Sequence, residues 1–134
     1  MSQTITEEDV LDLAAKIAVQ ARRDGVERSQ IENLLALVEK PSDPKISPWV
    51  VALYAYKQAG RKQAGRGKIG HKTADLIYEA MRKLCEAGCG KEDVRKLLGF
   101  MKWIYESLEG RTIPQEVDVE KLKLQDVLKM LRGS

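Results

Sequence analysis

Four stretches of this chain repeat apolar residues at intervals of three and four, and each stops at glycine or proline. That period lines up side chains on one face of a helix, and no half-buried strand produces it. The first stretch follows Thr6, which with Asp9 forms a capping box; it carries Val10, Leu13, Ala14, Ile17 and Ala21 and stops at Gly25. In the second, Ser29 with Glu32 predicts another capping box before Ile31, Leu34, Leu35 and Val38, and Pro41 and Pro44 end the helix. Between Lys72 and Ala87, Leu76, Ile77, Ala80, Met81 and Leu84 form a stripe, with Gly88 after it. Between Lys91 and Glu109 the stripe is Val94, Leu97, Leu98, Met101, Ile104, Tyr105 and Leu108, with Gly110 after it.

A further helix opens at Ser47-Pro48, the favoured pair for N-cap and first position, and runs to Gly60. Its sequence, WVVALYAYKQAG, is apolar almost all round, which predicts a place at the centre of the bundle. Asp118 is expected to cap a sixth helix carrying Leu122, Leu124, Val127, Leu128 and Leu131. Strand-like alternation bounded by hairpin turns does not occur. The expected fold is an all-α bundle of five to six short helices, with sequential helices antiparallel. At 134 residues it reads as a single domain: a core bundle over 6–110, a basic loop over 61–71, and an extension over 111–134.

No apolar run is long enough to cross a bilayer, and the opening MSQTITEEDV has no signal-peptide pattern. A cytoplasmic location and no membrane partner are expected. Cys85 and Cys89 are too few for a disulfide framework and read as small buried hydrophobes.

Charge is distributed very unevenly. From Lys57 to Lys72 there are six cations and no acid: Lys57, Arg61, Lys62, Arg66, Lys68 and Lys72, interspersed with Gly60, Gly65, Gly67 and Gly70. The whole chain carries +3, so the rest sums to +3 − 6 = −3. Positive charge this local, on a glycine-rich connection between helices, points to a polyanion and most directly to nucleic acid. A solvated basic loop is the plain alternative.

Other chemistries fail on residue type. A phosphate loop needs G-x-x-x-x-G-K-[ST] after a strand, whereas Gly65 is followed by Arg66-Gly67 and the preceding element is a helix. Structural zinc needs four ligands, and Cys85, Cys89 and the single histidine, His71, make three. His71 has no nucleophile or paired carboxylate placed beside it by the sequence. The acidic groups Glu7-Glu8-Asp9 and Glu92-Asp93 open helices, where the dipole accounts for them. A non-enzymatic protein with no cofactor and no metal is expected. On the fifth helix, Trp103 lies about 180° from the apolar stripe, with Lys96 and Gly99 on its side and Phe100 turned toward it. Phe100 and Trp103 suit a subunit interface or a base-stacking contact, unless the C-terminal helix covers them.

Three stretches together resemble a known family. Val26-Glu-Arg-Ser29-Gln30-Ile31-Glu32, Leu53-Tyr54-Ala55-Tyr56-Lys57-Gln58-Ala59-Gly60-Arg61, and the helix from Gly90-Lys91 through Phe100, Trp103-Ile104-Tyr105 to Gly110 are similar, in order and spacing, to the small subunit of type III-A CRISPR (Csm) effector complexes. The related type III-B small subunit is an alternative. Glu32 stands where the family carries a basic residue, and the 111–134 extension is not typical of it. The resemblance implies a helical, non-catalytic subunit stacked in a ribonucleoprotein filament among other CRISPR effector subunits. It would line the guide–target RNA path and contact phosphate and sugar.

The expected function is accordingly sequence-neutral RNA backbone binding through Lys57, Arg61, Lys62, Arg66, Lys68 and Lys72, with Lys96 on a secondary surface beside Trp103. The alternative is a helical protein–protein adaptor or self-associating dimer. A helix-turn-helix DNA regulator fits less well, because the basic residues gather in a loop and not on a recognition helix.

Overall fold

The computed structural model describes residues 5–39, 47–60, 69–88 and 90–133. It contains helices α1 (Glu7–Arg23), α2 (Arg28–Glu39), α3 (Pro48–Ala59), α4 (His71–Glu86), α5 (Lys91–Ser107) and α6 (Leu124–Arg132), with a 3-10 turn at Val119–Lys121 before the last. No strand occurs among the described residues. None of these helices is long and apolar enough to cross a membrane.

Local signals set most boundaries. Asp9 N–H donates to Thr6 Oγ1 at 3.1 Å and Thr6 N–H donates back to Asp9 Oδ2 at 3.0 Å, closing the capping box. These bonds hold the Asp9 carboxyl below its ordinary value. Gly25 follows α1 at φ 71, a left-handed conformation that glycine adopts without strain. Val26 N–H then reaches back to the Ala21 carbonyl at 2.9 Å, and its side chain is buried. Ser47 Oγ accepts from Trp49 N–H, with Pro48 as the first helical residue of α3.

Two expected starts move. α2 begins at Arg28, with the Glu27 carbonyl accepting from Gln30 and Ile31, so Ser29 lies inside the helix and does not cap it. Glu32 is not a capping partner; it pairs with Arg28 at 3.1 Å. Asp118 caps only the 3-10 turn, through Glu120 N–H. α6 starts later, with Asp126 accepting from Lys123 N–H at 2.9 Å.

The centre of the bundle is α1, not α3. Ala14, Ala15, Ile17, Ala18, Val19 and Ala21 are fully buried, because α1 packs on α4, α5, α6 and the 3-10 turn. Alanine-rich surfaces let neighbouring axes approach closely, so one helix can serve several partners. α3 is peripheral. It packs on α4 and more lightly on α2, and leaves Trp49, Val50 and Leu53 exposed. Of the sequential pairs, only α3 and α4 lie extensively against each other. α5 runs parallel to α1: Lys96 Nζ sits 3.5 Å from Glu7 near one end, and Arg22 hydrogen-bonds Tyr105 near the other.

α1 also supplies the ends of its neighbours. Asp24 Oδ2 accepts from Thr73 N–H (3.2 Å) and Thr73 Oγ1 (2.7 Å) at the start of α4. Asp12 Oδ1 accepts from Leu124 N–H (2.9 Å) at the start of α6. Arg22 donates from Nε and Nη2 to the Tyr105 carbonyl (2.9 and 2.7 Å) in the last turn of α5. Carboxylates at helix N-termini and a guanidinium at a C-terminus satisfy orphan backbone groups with the charge the dipole favours.

Candidate nucleic-acid interface

Chain geometry sets this face. α3 ends at Ala59 and α4 begins at His71, and the two helices return along each other. Residues seven apart fall on one side of a helix. Trp49 and Tyr56 therefore share a side of α3, with Leu53 between them, and His71 and Tyr78 share a side of α4, with Asp75 between them. Antiparallel packing sets these sides edge to edge.

The result is a row of four rings. Trp49 and Tyr78 have centroids 5.8 Å apart, Tyr78 and Tyr56 6.5 Å, and Tyr56 and His71 5.7 Å. All three pairs are tilted, at 36°, 55° and 58°. Tyr56 donates its hydroxyl to Asp75 Oδ1 at 2.5 Å, and His71 Nε2 lies 3.6 Å from the same oxygen. Burial, then the bond to Asp75, pushes the Tyr56 phenol up to about 12 and keeps it a neutral donor. Leu53 is 70 % exposed and Trp49 44 %.

Lys57 and Lys72, next to Tyr56 and His71 in the chain, are both exposed, and neither pairs with a carboxylate of a described residue. Lys57 lies on the outer side of α3, whereas Lys72 lies on the flank of α4 turned toward α1 and the 3-10 turn, in a groove with Arg23, Asp118 and Glu120. Arg61, Lys62, Arg66 and Lys68 lie outside the described residues. The sequence reading singled out these cations and not the rings beside them, although the seven-residue spacings of Trp49 with Tyr56 and of His71 with Tyr78 were there to be read.

Lys96 does not join this group. It pairs with Glu7, near the end of α1 opposite Asp24 and α4's first turn, and its Nζ lies 5.9 Å from the centroid of the Phe100 ring. The length of α1 separates these ends by about 25 Å. Trp103 is 69 % exposed and its ring lies 6.2 Å from that of half-buried Phe100. α6 packs on α1 and does not cover Trp103, so covering by the C-terminal helix is ruled out. A groove of about 450 Å³ remains there, with Lys96, Gly99, Phe100 and Trp103 among its walls.

Cys85 is half-buried, with its thiol pushed up by burial, and Cys89 lies outside the described residues. Among the described residues no group of three or more His, Cys, Asp or Glu is placed to hold a metal ion. What the α3–α4 face offers chemically is cationic and aromatic contact. No protein-family model, curated protein or solved structure matches the chain.

Proposed function

We propose that this protein is a non-catalytic helical subunit that holds RNA by its phosphate backbone without reading sequence, as the small subunit of a type III CRISPR ribonucleoprotein effector complex does. The observation that carries the reading is the acid-free run of six cations from Lys57 to Lys72. Its two ends, Lys57 near the close of α3 and Lys72 in the first turn of α4, are exposed. Lysine and arginine contacts to phosphate supply affinity and position and carry no sequence information, which suits a scaffold whose target is chosen by guide pairing. The three segments that resemble the Csm small subunit support the same reading.

Anisotropy titration of a labelled single-stranded RNA across a salt series tests it. Six phosphate contacts give a slope of log K against log salt of about −4. Arg61→Glu with Arg66→Glu should flatten that slope by at least the worth of two contacts, about 1.4, and weaken binding. Binding indifferent to salt, or unchanged in the double variant, rules the assignment out.

The exposed Trp103 supports a second reading, a helical adaptor or self-associating module with its interface on Trp103 and Phe100. Exposed aromatics beside a groove are the usual anchors of such contacts. Light scattering after size exclusion should then show a dimer or larger species that Trp103→Ala dissolves. A monomer in both proteins removes this reading.

A further inference from the structure

Phosphate contacts alone do not explain why the face between Lys57 and Lys72 is aromatic. Trp49, Val50, Leu53 and Tyr78 are exposed across two packed helices, although the core of the bundle is complete without them. Contiguous exposed apolar surface of this kind marks a binding site.

We propose that the α3–α4 face is a base-stacking platform, on which Trp49, Tyr78, Tyr56 and His71 take the unpaired bases of a single-stranded RNA while Lys57 and Lys72 hold its backbone. This rests on the phosphate-binding reading and narrows it to one class of nucleic acid. Every base has a π-face, so stacking adds affinity without adding sequence preference.

Access to base faces selects the single strand. The ring centroids are 5.7 to 6.5 Å apart and tilted by 36 to 58°, the geometry of aromatic side chains in contact with one another. Their solvent-facing surfaces can take a base only if that base is unstacked from its neighbours. In an A-form duplex the base faces are stacked on each other and closed to side chains.

Charge favours nucleic acid over an acidic or neutral protein surface. Among the described residues, the carboxylates along the outer side of α4, Asp75, Glu79 and Glu86, are all engaged. Asp75 accepts the Tyr56 hydroxyl and lies beside His71. Glu79 pairs with Arg82 at 2.8 Å. Glu86 shares the same arginine at 2.6 Å, so the charges on this surface without an ion-pair partner among the described residues are the cations Lys57 and Lys72. The Tyr56–Asp75 bond also fixes one ring before any ligand arrives, so less side-chain freedom is lost on binding.

Trp49 itself is the probe. The chain has two tryptophans, so in a Trp103→Phe background the emission reports Trp49 alone. The full chain is titrated with a 12-nucleotide oligouridylate, an abasic ribose-phosphate 12-mer and a 12-base-pair RNA duplex. The oligouridylate should quench Trp49 and bind roughly tenfold tighter than either of the other two. Trp49→Ala should remove that advantage while leaving the abasic strand's affinity in place, and Trp49→Phe should restore most of it.

Equal, salt-dependent binding of all three probes with Trp49 unquenched overturns the platform and leaves the phosphate reading standing. Binding of none of them overturns both. Self-association that buries Trp49, with no response to oligouridylate, assigns the face to a protein partner and also overturns it. The quenching and the abasic comparison are made on protein with Trp49 intact, so a poorly folded Trp49→Ala leaves both decisive.

Discussion

Replacing Gly70 by alanine is expected to lower the stability of the fold by about 3 kcal/mol, read as a fall of roughly 10 °C in thermal midpoint. The backbone at Gly70 is ordinary, with φ −64, so the cost does not come from a forbidden conformation. It comes from space. A Cβ there would lie 2.6 Å from Asp24 Cβ and closer still to its carboxylate. Asp24 would have to withdraw from α4, releasing the N–H and hydroxyl of Thr73. Thr73 is fully buried, and each polar group orphaned there costs about 1–3 kcal/mol.

The mechanism is separable from a general intolerance at position 70 by a double-mutant cycle. Asp24→Gly, which removes the Cβ as well as the carboxylate, should alone cost about 2–3 kcal/mol, because the Thr73 N–H and hydroxyl lose their acceptor. Gly70→Ala added to that variant should cost much less than it does in the wild type, because both the carboxylate and the Cβ that stood 2.6 Å away are gone. Equal costs in both backgrounds, by urea denaturation, would refute the account.

Arg22→Met is the second large effect, expected at about 2–3 kcal/mol in the same measurement. Methionine keeps most of the aliphatic stem, so the loss isolates the guanidinium. That group donates twice to the Tyr105 carbonyl, and its central carbon stands 3.7 Å from the Tyr105 ring centroid. Hydrogen bonds to a charged group contribute about 1.5–3 kcal/mol, and the ring contact adds about 0.5–1. Tyr105 in turn donates its hydroxyl to the Val26 carbonyl at 2.5 Å, so one node ties α1, the turn after it and α5 together. Arg22→Lys should recover less than half of the loss, since an ammonium cannot fork to one carbonyl and stack on a ring together. Full recovery by lysine would show that charge alone matters.

Local chemistry was legible in the sequence, and distant chemistry was not. Thr6 with Asp9, Ser47 before Pro48, and the glycines at 25, 88 and 110 mark helix ends because each acts within a few residues. Ser29 with Glu32 has the same spelling yet lies inside α2, because Arg28 draws Glu32 away and the Glu27 carbonyl takes the first helical bonds. Bulk was a poor guide to depth. The large side chains of α3 mark a surface, and the alanines of α1 mark the centre, where several axes must come close. The caps that Asp24, Arg22 and Asp12 provide span 49, 83 and 112 residues, and no periodicity reveals such pairs. For the interface, charge located Lys57 and Lys72. The ring row became visible only when α3 and α4 were laid side by side, since each helix contributes half of it.

The position of α1 has a consequence during synthesis. It leaves the ribosome ahead of the other described helices, and it is also the one whose buried surface and charged side chains are partnered last. Tyr105 follows Arg22 by 83 residues, and Leu124 follows Asp12 by 112. At about 5–20 residues per second, α1 waits several seconds or more for those partners. Through that interval its face of Val10, Leu13, Ile17 and Val19 is open to solvent or to other nascent chains. The helix that organises the finished bundle is therefore the segment most in need of protection while the bundle is being made.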